Sequence, residues 1–115
     1  RMADADTSAV TGNALVLVRT LHAYMDALMA AALNPMERKK LEDVSKRLGL
    51  LLVKLNLNEL STTIVDKLLG ITQAVSVGDY RTALAIHVEL TTSDWADNGA
   101  WLVGLKRLLE ALAKP

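Results

Sequence analysis

Apolar residues recur three and four positions apart along most of this chain, and that periodicity decides what it can fold into. Leu41, Val44, Leu48, Leu51 and Leu55 step at 3-4-3-4, the interval that returns to one face of an α-helix. Arg38, Lys39, Glu42, Asp43, Lys46 and Arg47 fall on the opposite side, which should be wet. Asn34-Pro35 opens the stretch: a side chain able to accept a backbone N–H, then a residue whose missing N–H costs nothing at a first helical position. Asn56-Leu57-Asn58 breaks the pattern at the far end.

The same reading repeats on either side. Leu17, Leu21, Tyr24 and Leu28 form one apolar face, with Val18, Met25 and Met29 as a second stripe, on a helix beginning near Asn13 with Asn13 or Thr11 as cap. A helix so apolar around its circumference needs several neighbours. Its stretch Ala14–Leu33 has the length of a membrane span but carries Arg19, His22 and Asp26. The two charges would each cost about 2.5–3.5 kcal/mol at a bilayer centre, so a buried helix is expected. No basic segment with a cleavage site, the mark of a signal peptide, precedes it.

Ser61 caps a third helix with Ile64, Leu68, Ile71 and Val75 inward, and Gly78 ends it. Asp79 caps a fourth, with Tyr80, Leu84 and either His87 or Val88 facing the core. Thr91-Thr92-Ser93-Asp94 reads as a turn or a new cap, and Trp101, Leu105, Leu108 and Leu112, flanked by Leu102 and Leu109, describe a last helix. No run alternates in the manner of a strand. Short connections make antiparallel neighbours the default. The expected fold is therefore all-α, a compact antiparallel bundle of five helices. Residues 1–12 are small, polar and aperiodic, a flexible lead-in or an added junction, since Arg1 precedes Met2. Residues 13–113 are expected to form one helical-bundle domain, a C-terminal piece of a longer protein.

Composition narrows the function classes. The 13 basic and 13 acidic side chains cancel, so no net field draws the chain to nucleic acid or an anionic membrane. Cysteine is absent, which removes disulfides, thiolate metal sites and Cys nucleophiles. His22 and His87 sit on separate helices without a second ligand at i+3 or i+4, where a catalytic zinc needs about three protein ligands. Glu42 and Asp43 point in different directions. Asp94 and Asp97 share a face at i,i+3, where they would complement a helix N-terminus. Ser61, Ser76 and Ser93 have no His-Asp arrangement, and the six glycines form no phosphate loop. The Arg38-Lys39-Lys40, Lys46 and Arg47 patch is diluted by Glu37, Glu42 and Asp43 and lacks aromatic stacking platforms. A non-enzymatic protein-interaction domain follows, with no cofactor, metal, nucleic acid or small-molecule ligand expected.

The second half carries more specific features. His87-Val88-Glu89-Leu90-Thr91-Thr92-Ser93-Asp94-Trp95, then Trp101-Leu102-Val103-Gly104-Leu105-Lys106-Arg107-Leu108, resembles the C-terminal helical domain of the large COPII outer-coat subunit. Leu41 to Leu51 and Gly78 to His87 fit the same pattern, so the resemblance spans about residues 36–110. The steroid receptor RNA activator protein has a related domain with the same Trp-x-x-Gly-x-Lys-Arg-Leu ending. The Leu-Thr-Thr-Ser-Asp-Trp segment favours the coat protein. The resemblance implies a role in stabilising coat assembly during ER-to-Golgi transport. Other COPII coat subunits would be the partners, and membrane association would be peripheral, through the coat. It also implies a cytoplasmic location, on COPII vesicles and ER exit sites. A coregulator domain contacting RNA or transcription factors is the alternative.

Lys106 and Arg107, polar positions inside the most recognisable motif, are the expected contact residues; a solvated face or compensation of a helix C-terminus is their plainer role. Trp95, near a helix start, serves either the core or a partner.

Overall fold

Five local punctuation signals divide the chain. The computed structural model describes residues 1–114. Its helices are α1 (Gly12–Ala31), α2 (Pro35–Asn56), α3 (Thr62–Ser76), α4 (Tyr80–Ser93) and α5 (Gly99–Ala113), with no strand among the described residues. Asn34 accepts the N–H of Glu37 at the start of α2, Ser61 that of Ile64 before α3, and Asp79 that of Thr82 before α4. Each bond satisfies one of the four N–H groups a helix start leaves unpaired. At the other ends, Asn58 (φ 55°) and Gly78 (φ 76°) take the left-handed conformation after α2 and α3. The following N–H groups, of Glu59 and Asp79, then reach back to the carbonyls of Lys54 and Ala74.

Cross-helix pairs establish that α5 runs antiparallel to both α2 and α4. On α2 and α5, Asp43 meets Arg107 while Arg47 lies against Gly104. On α4 and α5, Tyr80 donates its hydroxyl to the carbonyl of Leu112, and His87 lies against Leu102. In both pairs one number rises as the other falls. α5 packs against α1, α2 and α4, and α3 lies between α1 and α4. The five-helix antiparallel bundle is thus the observed architecture. Its Cα radius of gyration of 13.2 Å matches the roughly 13 Å of a close-packed domain this long.

The core is the 3-4 stripe of each helix. Leu48, Leu51, Leu52, Leu90, Leu102 and Leu108 are wholly inaccessible, and Trp101 is buried with its indole N–H donated to Asn98 at 2.9 Å. α1 is long and apolar enough to cross a membrane by length and composition. Here it turns Leu17, Val18, Leu21 and Met25 into the bundle and leaves Arg19 and Asp26 outside.

Three expectations need correction. The first residues are not a loose lead-in: Met2–Asp4 form a 3-10 turn, and Met2 (2% exposed) and Val10 (6%) enter the core. Backbone bonds hold this strap to α2, from the Met2 N–H to Ser45 Oγ (3.2 Å) and from the Ala9 N–H to Asn56 Oδ1 (2.8 Å). Thr91, Thr92 and Ser93 do not form a cap. α4 runs through them because their hydroxyls bond back to the carbonyls of Val88 and Glu89. Asp94 and Asp97 do not share a helical face either. Asp94 closes α4, Asp97 sits in the link at φ 64°, and α5 starts only at Gly99.

Candidate functional site

The Asp79 cap starts α4, whose packing buries Ala83, His87 and Leu90. His87 is buried, with Nε2–H donated to the Leu102 carbonyl at 2.7 Å, which ties α4 to α5. Val88, the other candidate for that core position, therefore points out and is 57% exposed. Tyr80 and Leu84 are half-buried and pack against the core as expected, and of the two candidates that follow them His87, the less hydrophobic, is the buried one.

Turning Val88 outward opens a groove of about 660 Å³ between α4 and α5. Leu84, Val88 and Thr91 form the α4 wall, and Val103, Lys106, Arg107 and Glu110 form the α5 wall. His87 lies in the floor and Trp95 closes one end. Trp95 is 51% exposed, yet it does not hang free. Its ring lies so close over Gly99 that a Cβ there would sit 2.9 Å from it. A fixed, half-exposed tryptophan at the end of an apolar groove is the usual form of an interface anchor.

All three residues singled out from sequence line this one groove, but they are not equivalent. Lys106 is exposed and makes no ion pair among the described residues. Arg107 bridges two helices: its Nη1 lies 2.9 Å from Asp43 Oδ2, the same oxygen that accepts Arg47 Nε at 3.0 Å. The hydrogen bond from Arg47, and then the charges of Arg47, Arg107 and Lys46, hold the Asp43 carboxyl below the usual carboxylate range. The basic face on α2 is also partly consumed within the molecule, Arg47 in this network and Arg38 on the carbonyl of Met29.

No cluster of three or more potential metal ligands occurs among the described residues. In the core, the void between α1, α3 and α5 measures about 10 Å³, room for at most one water. What the fold offers at its surface is a groove with an aromatic end, a largely apolar α4 wall and a largely charged α5 wall.

No family model matches the chain, and no solved structure does. Curated relatives do. A protein transport protein SEC31 homolog B of Arabidopsis thaliana is 39% identical over 109 residues, 91% of this chain and 10% of that protein. The protein transport protein Sec31A of Mus musculus is 31% identical over 101 residues, 87% of this chain and 8% of its own. The chain belongs to the Sec31 family. Another member, the protein transport protein SEC31 of Candida glabrata, is 40% identical over 78 residues, 67% of this chain and 6% of that relative. The chain spans a tenth or less of the length of these Sec31 proteins. Their names give the receptor-activator alternative no support.

Proposed function

We propose that this chain is a non-catalytic protein-interaction domain of the COPII outer coat. It stabilises coat assembly in ER-to-Golgi transport by contacting other coat subunits through the α4–α5 groove. Similarity to Sec31 proteins over nine-tenths of the chain carries the reading. The groove supports it with an aromatic residue packed over Gly99, the exposed Val88 on its wall and an unpaired cation. The site of action is the cytoplasm, at ER exit sites and on COPII vesicles, with membrane contact only through the coat. A small domain of this kind suits weak, reversible contacts made effective by high local concentration within a lattice.

A chimera tests the function. The matching segment of the Candida glabrata SEC31 protein is replaced by this chain, and export of a secreted reporter is measured under heavy cargo load. The chimera is expected to export normally, and a deletion of the segment to export slowly. The Val88→Glu, Trp95→Ala variant is expected to fold, by circular dichroism, and to behave like the deletion. Normal export by the deletion would sink the coat role, and normal export by the folded double variant would remove the groove from it.

A further inference from the structure

The α4–α5 groove does not end at Arg107. A second hollow of about 480 Å³, between α2 and α5, shares Arg107 and Glu110 with it. A third, of about 340 Å³ beside the end of α1, shares Lys40, Leu41, Ala111 and Lys114 with the second. The three adjoin through these shared residues and together flank the C-terminal half of α5 as a furrow. Between Val103 and Lys114 it follows about 17 Å of helix, at ~1.5 Å per residue. Roughly five residues of extended chain, at ~3.3 Å each, cover that length.

The charge along this furrow departs from the balance of the whole molecule. The chain carries equal numbers of basic and acidic side chains, yet the furrow is lined by Lys40, Lys106 and Lys114, with Arg107 already paired to Asp43, against Glu37 and Glu110. One of those two carboxylates, Glu37, already accepts the N–H of Leu33 at the α1–α2 link. Lys40 and Lys106 are exposed and make no ion pair among the described residues. The furrow thus joins an aromatic and aliphatic seat at one end to a row of cations along its length.

We propose that this furrow binds an acidic linear segment of a partner protein. Apolar side chains of the segment seat against Trp95 and Val88, and its carboxylates face Lys106, Lys40 and Lys114. Charge complementarity of this kind chooses the partner and speeds its arrival more than it adds affinity, so binding weakens as salt rises. The proposal rests on the reading of the groove as a protein-interaction surface and adds the chemistry of what enters it.

The test is selection of random peptides of about twelve residues, displayed on phage, against the intact chain. The enriched peptides are expected to carry an excess of Asp and Glu around bulky apolar residues. Their binding should shift Trp95 fluorescence and fall about tenfold or more with Lys40→Glu, Lys106→Glu, while Leu57→Glu, at the exposed position just after α2, leaves it unchanged. Enriched peptides without an acidic excess, binding indifferent to the lysine changes, or no enrichment at all would each overturn the proposal. So would tight binding of phosphatidylserine vesicles that displaces the peptides, because the furrow would then be a lipid surface. The chimera is a separate readout. Normal chimera function with unbiased peptides rejects only the acidic ligand, and failed chimera function with acidic peptides rejects only the coat.

Discussion

Gly104 marks a close approach of α5 to α2. A Cβ added there would lie 2.7 Å from Arg47 Cβ, an atom fixed to the backbone and not the far end of a mobile side chain. Gly104→Ala gains up to about 1 kcal/mol in helix propensity. Separating the helices costs more, so the variant is expected to lose about 1–3 kcal/mol net, read as a lower urea midpoint. An unchanged or raised midpoint would mean the helices part without strain. Asp43, one turn before Arg47, makes a different prediction. Its carboxyl is lowered in the folded state, so its contribution is present above the ordinary value of about 4 and is lost as pH falls from there through the folded value. Asp43→Asn should flatten that part of the acid limb of stability against pH, leaving its shape above pH 5 unaltered. An acid limb identical to that of the parent would exclude the Arg47–Asp43–Arg107 network as a source of stability.

The helices start and stop where single residues dictate, which is why most of them are legible in the sequence. Ser61 is such a residue: with its hydroxyl on the Ile64 N–H, Ser61→Ala should cost about 1 kcal/mol in denaturant unfolding, and no measurable cost would mean water serves as well. The stripes of α2 and α3 are equally legible because the residues at 3-4 spacing, Leu41 to Leu55 and Ile64 to Val75, are the ones buried. On α4 either His87 or Val88 continues the apolar spacing, so the outward turn of Val88, and with it the groove, could not be read from spacing. The strap was hidden for another reason, that its partners Ser45 and Asn56 lie more than forty positions away. One trace of it exists, Gly49, a glycine in mid-helix where alanine would be favoured by about 1 kcal/mol. A Cβ at Gly49 would meet the Arg1 backbone at 3.0 Å. Gly49→Ala is therefore expected to speed amide exchange at Met2 and Ala9 while leaving α2 protected. Unchanged exchange at both would show that the strap does not depend on that approach.

As a whole, the molecule combines a filled core with a surface of mixed charge, and the asymmetry is confined to the furrow along α5. Lys106, Arg107 and Trp95 could be picked out individually in the sequence, but their convergence depends on the antiparallel pairing of α4 with α5. That arrangement fits a domain whose ligand is another protein surface. The central claim, membership of a coat assembly, is tested most directly on the native protein. An antibody to this domain would immunopurify the endogenous chain, and mass spectrometry would identify its size and companions. A parent on the order of ten times the 12.5 kDa of this chain, arriving with other COPII coat subunits, is expected. A short parent accompanied by nuclear factors or RNA would contradict it.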